Sequence, residues 1–251
     1  MKKALAFLIL FVLVFCASSV VLGEEEREQT KFIDEEHQIM FIILEDKTAE
    51  ILDCRAKGEL TIPAKISGYN IGTSSDPEII VEKIPVSRIS EYAFMNSNVT
   101  KVKINCKLKE IGKNAFYGCH ILTSVKLPKT LTAIGEGAFD SCPELKSITI
   151  PDGVKSIGAR AFSNCKSLKK ITIPDSVTCI MEEAFAYCDS LKEIILPDSV
   201  TSLGDYAFYS CQALKSVHLP DSLSTIGKNT FSDCPGLEGM TIPESVTVTG
   251  D

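Results

Sequence analysis

Leu145-Lys146-Ser147-Ile148-Thr149-Ile150-Pro151-Asp152-Gly153-Val154-Lys155-Ser156-Ile157-Gly158-Ala159-Arg160-Ala161-Phe162-Ser163-Asn164-Cys165 decides the fold, because nearly the same run begins again 23 residues later. Phe116, Phe139, Phe162, Phe185, Phe208 and Phe231 keep that interval, as do Cys119, Cys142, Cys165, Cys188, Cys211 and Cys234, and Pro128, Pro151, Pro174, Pro197, Pro220 and Pro243. The unit is L-x-x-I-x-I-P-D-S-V-x-x-I-G-x-x-A-F-x-x-C-x-x. Six full copies span Val99–Gly236, and a seventh starts at Leu237 and runs to Asp251. A period of this size marks a solenoid, in which each unit buries its apolar side chains only against its neighbours, so folding is collective along the stack.

Each unit contains a short strand, Leu145-x-x-Ile148-x-Ile150, which Pro151 ends because it has no N–H to add to a ladder. Val154 and Ile157 add two inward positions, and Gly158 permits a tight bend. Ala161 to Cys165 is too short for an independent helix and is expected to form a helical turn or 3-10 segment. The expected fold is therefore an α/β solenoid, a curved stack of short parallel strands with strands ~4.8 Å apart.

The spacing L-x-x-I-x-I-x-x-S-x-V matches the leucine-rich-repeat pattern, with Ser176, Ser199 and Ser222 in place of asparagine. The run I-P-x-S-V-x-x-I-G-x-x-A-F-x-x-C resembles the BspA-type leucine-rich repeat of bacterial and protist surface proteins, over Val99–Asp251. Upstream the likeness is weaker. Leu60 to Ile66 is similar to the strand half of a unit and Ile89 to Phe94 to the turn half, but Ser67–Arg88 is too long and Ser97 stands where cysteine is expected. Residues 24–98 are read as an N-terminal β capping module with a degenerate first repeat, in which Phe41–Leu44 and Thr48–Asp53 form a hairpin over the open edge of the stack.

The 45% apolar content excludes a disordered chain, and a single apolar run, Ala4–Leu22, excludes a multi-pass membrane protein. With Lys2 and Lys3 before it and Gly23 after it, that run reads as a signal peptide, residues 1–23, which implies a secreted or cell-surface protein. An uncleaved anchor and a lipid-modified Cys16 are the alternatives, and Phe15, a bulky residue before the cysteine, counts against the second. The net charge of −7 argues against nucleic acid as a partner.

The cysteine count at first suggests disulfides. Six of the ten occupy one equivalent inward position, where stacked Cβ atoms lie ~4.8 Å apart, too far apart and too parallel for disulfide geometry. The expected state is a ladder of buried thiols filling space as small apolar groups. No Cys-x-x-Cys pair supports zinc. Cys54, Cys106 and Cys179 lie outside the ladder, and a Cys54–Cys106 bridge has no support in one sequence.

No catalytic motif is assembled. His37, His120 and His218 are scattered, and Glu182 with Glu183 reads as a solvated surface pair. The chain is read as a non-enzyme without a cofactor or small-molecule site. Charge is more informative. The second, third and fifth positions of L-x-x-I-x-I face outward on the strand side, the concave face of a leucine-rich-repeat horseshoe. They carry Lys101, Lys103, Lys126, Lys146, Lys169, Lys170, Lys192, Lys215 and His218, against Glu193 and Glu238. Lys146, Lys169, Lys192 and Lys215 form a stack at repeat spacing. Like charges side by side disfavour a sheet, so the stack suggests selection for an acidic protein surface or anionic glycan. The competing reading is a solubilising residue copied by duplication and screened by salt over ~10 Å.

Two functions follow as expectations. One is a secreted or surface interaction protein that binds a macromolecule on its concave face. For that reading the family resemblance implies adhesion, with host matrix or cell-surface glycoproteins as ligands. The other is a structural module that self-associates through the strand edge of the final unit.

Overall fold

A computed structural model describes residues 31–70, 80–237, 241–242, 244 and 246–249. The signal-peptide reading of 1–23 lies outside them, as do Glu238 and part of the final unit. The chain is a parallel-strand solenoid of about seven turns of ~23 residues with almost no helix.

Two parallel ladders run along the stack, the first of them interrupted between its Lys170–Thr172 and Glu193–Ile195 strands. One comes from the L-x-x-I-x-I segments: β7 (Val99–Ile104), β9 (Ser124–Lys126), β11 (Ser147–Thr149), β13 (Lys170–Thr172), β15 (Glu193–Ile195) and β17 (Ser216–His218). The other comes from the x-I pair before the glycine: β8 (Glu110–Ile111), β10 (Ala133–Ile134), β12 (Ser156–Ile157), β14 (Cys179–Ile180), β16 (Ser202–Leu203), β18 (Thr225–Ile226) and β19 (Thr247–Val248). Equivalent residues pair one unit apart, Ile148 beside Val125 and Ile171 in the first ladder, Ile157 beside Ile134 and Ile180 in the second.

Six further strands precede the regular units: β1 (Lys31–Asp34), β2 (Ile39–Ile43), β3 (Ala49–Cys54), β4 (Gly58–Ile62), β5 (Lys65–Asn70) and β6 (Ile80–Ile89). Strands β2 and β3 make the expected hairpin, closed by Lys47 in the left-handed region and its N–H to Leu44 O at 2.9 Å. Strand β3 then pairs in parallel with β6, and β4 with β7, so the degenerate first repeat is in register with the stack: Leu60 beside Val102 and Ile62 beside Ile104. The extra length between the two halves of this repeat includes the antiparallel pairing of β5 with β6.

The turn segment differs from the expected helical or 3-10 state. Among the described residues the single 3-10 helix is Pro235–Leu237. In each unit the A-F-x-x-C run is instead a chain of overlapping i→i+3 turns, as in Ala138 N–H to Gly135 O at 3.2 Å and Asp140 N–H to Gly137 O at 2.9 Å. Two left-handed residues per unit set it, among them Gly137 with Ser141 and Arg160 with Asn164. A positive φ at the third turn residue is the type II geometry. It aims alternate N–H groups along the stack: Phe116 donates to Ala138 O, Phe139 to Ala161 O and Phe162 to Ala184 O, at 2.8–2.9 Å. A helix would spend those donors on itself and leave the next unit's carbonyls unpaired.

The repeat glycine serves a close approach more than a bend. A Cβ on Gly158 would stand 2.8 Å from Ile134 O and from Gly135 C in the preceding unit. Inside, Phe94, Phe116, Phe139, Phe162, Phe185 and Phe208 are fully buried, and neighbouring rings stack with centroids 4.5–5.4 Å apart.

The cysteines do more than fill space. Each ladder thiol donates S–H to the carbonyl of the phenylalanine one unit back, Cys119 to Phe94, Cys142 to Phe116, Cys165 to Phe139, Cys188 to Phe162, Cys211 to Phe185 and Cys234 to Phe208, at 3.0–3.3 Å. Burial pushes Cys165 and Cys188 far above the usual thiol range, which keeps the donor proton in place. Ser97, in the cysteine position of the first unit, has a buried Oγ with no partner among the described residues. Cys54 and Cys106 are free and buried, pushed up to about 12 and about 11 by desolvation. The asparagine-position serines also link units, with Ser176 Oγ donating to Val154 O and Ser199 Oγ to Val177 O, both at 2.6 Å.

Candidate functional site

Alternation along a strand puts the fourth and sixth positions of L-x-x-I-x-I in the core and the third and fifth outside. Val102, Val125, Ile148, Ile171 and Ile194 are accordingly buried. Two outward columns result. Glu59, Lys101, Ser124, Ser147 and Lys170 make one, and Thr61, Lys103, Lys126, Thr149 and Thr172 the other. All nine residues expected on this face, Lys101, Lys103, Lys126, Lys146, Lys169, Lys170, Lys192, Lys215 and His218, are exposed.

They do not form one uniform stripe. Lys103 and Lys126 are register neighbours over an open groove of about 770 Å³ between β4 and the end of β11. Lys101 joins the same groove but is ion-paired with Glu59 of β4 at 2.5 Å. Lys146, Lys169, Lys192 and Lys215 stand on the rim, each one residue before its strand. The backbone joins them as two pairs, with Lys169 N–H on Lys146 O at 3.3 Å and Lys215 N–H on Lys192 O at 2.9 Å. Among the described residues, none of these four takes part in an ion pair. Lys170 lies beside Ser147. His218 lies beside Ile195 in the C-terminal half.

Two residues of the face, Glu59 and Lys129, were not picked out by sequence reading. Glu59 needed the register of β4, which places it opposite Lys101. Lys129 lines the groove from the position after Pro128, where later units carry Asp152, Asp175, Asp198 and Asp221; the substitution is visible once the repeats are aligned. Ile195 is 59% exposed, an aliphatic residue in the column of Thr149 and Thr172. The face is thus polar and basic at the cap end and changes to an apolar point flanked by His218 and Glu193 further along.

The arrangement suits contact with a large, extended surface. The groove is shallow and open, with Ser124, Ser147 and Thr149 leaving room for a ligand to reach the sheet. Among the described residues no three His, Cys, Asp or Glu side chains converge as a metal site, and no helix is long and apolar enough to cross a membrane.

Similarity to known proteins agrees with this geometry. The solenoid resembles the crystal structure of the T. pallidum leucine rich repeat protein TpLRR, with a TM-score of 0.69 and 27% identity over 80% of this chain and 89% of that one. It also resembles a leucine-rich repeat protein from Bacteroides ovatus ATCC 8483, with a TM-score of 0.59 and 29% identity over 84% of this chain and 59% of that one. No curated protein matches the chain. The family model of the BspA type leucine rich repeat region matches residues 87–200 and 178–251 in six copies, and the chain belongs to that family.

Proposed function

We propose that this protein is a secreted or cell-surface interaction protein of adhesin type, which docks an acidic macromolecular surface, such as a host matrix or cell-surface glycoprotein, on its concave strand face. The carrying observation is the row of exposed rim lysines Lys146, Lys169, Lys192 and Lys215 at repeat spacing, joined by the backbone in two pairs and without acidic partners among the described residues. Four like charges ~4.8 Å apart repel one another. A multivalent anion relieves that repulsion and gains from each lysine in turn, which favours a long partner over a small one. The groove with Lys103 and Lys126 extends the basic field towards the cap.

The supporting reasons for export are the basic residues and apolar run at the start of the sequence and the family's surface proteins. Leucine-rich-repeat solenoids typically act as interaction scaffolds, which supports the same reading. The test uses polyglutamate as probe. Replacing the four rim lysines by serine is expected to weaken binding at least tenfold and to flatten its salt dependence. Unchanged affinity and salt dependence would refute the assignment of the rim as the site.

A further inference from the structure

Away from the strand face, the turn edges of two successive units carry a cluster of three tyrosines, of which Tyr206 also accepts a hydrogen bond from Asn229 Nδ2 of the next unit at 3.1 Å. Tyr187 and Tyr209 meet edge to face with centroids 5.5 Å apart, and Tyr206 meets Tyr209 at 5.6 Å. Tyr187 is 39% exposed, and the other two are half-buried. Tyr187 has φ +59, in a position filled elsewhere by Asn96, Gly118, Ser141, Asn164, Ser210 and Asp233, all small residues that suit a tight left-handed turn. Tyrosine there strains the backbone and keeps over a third of its surface in water, so its ring is not explained by core packing. Tyr206 is also left-handed, at φ +56. Local strain of this kind, coupled to exposed aromatic surface, points to use of the surface.

The chemistry around the rings specifies what would bind. Acids frame the group: Asp205 precedes Tyr206, Glu182 is exposed in the turn of Tyr187, and the Asp233 carboxylate beside the Tyr209 hydroxyl raises that phenol above its ordinary range. The site already holds one cation. Lys228 Nζ lies 5.8 Å from the centroid of the Tyr206 ring and 3.9 Å from Asp205 Oδ2. That pairing of an aromatic face with a carboxylate is the arrangement by which a protein takes up a guanidinium group from a partner. Tyrosines are rigid, amphipathic anchors with little side-chain entropy to lose on binding.

We propose that Tyr187, Tyr206 and Tyr209 form a second interaction surface, on the turn edge, that accepts arginine side chains from a basic segment of a protein partner. It is opposite in charge preference to the concave face and does not depend on that site. One protein would then hold an acidic partner on its strand face and a basic one on its turn edge.

The probes are a labelled Gly-Arg-Gly-Arg-Gly-Arg peptide, its lysine and glutamate counterparts, and maltoheptaose, each titrated into the full chain by fluorescence anisotropy or calorimetry. Tyr187→Ser and Tyr209→Ser place residues that the repeat itself uses at Ser210 and Ser232, so the fold is kept. The arginine peptide is expected to bind better than the lysine peptide and the glutamate peptide not at all. Each variant is expected to bind it roughly tenfold more weakly with an unchanged melting temperature. Because the chain has six tyrosines and no tryptophan, tyrosine emission reports the contact directly. Equal binding by the variants, no preference for arginine, or saturation by maltoheptaose in place of the peptide would overturn the proposal.

Discussion

Removing one phenylalanine from the middle of the stack tests the nearest-neighbour account of its stability. Phe185 is fully buried and stacks on Phe162 at 5.4 Å and on Phe208 at 5.3 Å. Phe185→Ala is expected to cost about 3–5 kcal/mol, through lost burial and a cavity that flanking units cannot close without breaking their own ladders. In a chain of this length each kcal/mol lowers the melting temperature by ~2–4 °C, so a fall of roughly 6–20 °C is expected. Phe231, at the C-terminal end of the ring stack, is only half-buried and stacks on Phe208 alone at 5.6 Å. Phe231→Ala should therefore cost less than half as much. The assay is thermal and urea unfolding of both variants followed by circular dichroism. Because each unit leans only on its neighbours, the central variant should also broaden the transition as the two halves uncouple. Equal losses at the two sites, or no loss at Phe185, would refute both the ring stack and the nearest-neighbour picture.

Cys165→Ala, which leaves Phe139 O without its thiol donor, should cost about 1–2 kcal/mol beyond the small loss of volume, read by urea unfolding. The buried thiols, inside and outside the ladder, also set an alkaline limit. A buried thiol whose folded pKa is raised contributes stability that is complete below its unfolded value, ordinarily 9.0, and is lost as pH climbs towards the folded value, about 12 for Cys54. Melting temperature should fall between pH 9 and 11, and the buried thiols should resist iodoacetamide at pH 8 until urea is added. Gly158→Ala should destabilise by about 1–3 kcal/mol, since its new Cβ meets the backbone of the preceding unit at 2.8 Å. Arg160→Ala should lower the melting temperature by a few degrees, because Asp140 is almost fully buried and loses the guanidinium 3.2 Å from its Oδ2.

Much of this was legible in the sequence because repetition multiplies weak signals. A single Leu-x-x-Ile-x-Ile is a short strand among many, but seven in phase fix which side chains point inward, and the two ladders follow. The outward lysines were legible for the same reason. The turn was not, because Ala161 to Cys165 has a composition that suits a helical turn, and only the need to satisfy the next unit's carbonyls selects alternating left-handed residues such as Arg160 and Asn164. Hydrophobic pattern also conceals the thiol donors: a buried cysteine reads as a small apolar residue until its S–H is seen to meet a phenylalanine carbonyl. The Glu59–Lys101 pair depended on the register of β4 across a sequence separation of 42, and the tyrosine group on turn edges that the period describes only as x.

The central claim, that the concave strand face is a docking surface for an acidic partner, is tested most directly by lysine footprinting. Acetylation rates of individual lysines are measured by mass spectrometry with and without saturating polyglutamate. Lys146, Lys169, Lys192 and Lys215, with Lys103 and Lys126 in the groove, are expected to lose reactivity, while Lys109, Lys155 and Lys228, which lie off this face, keep theirs. Even protection of all exposed lysines, or protection centred on Lys109, Lys155 and Lys228, would contradict the account.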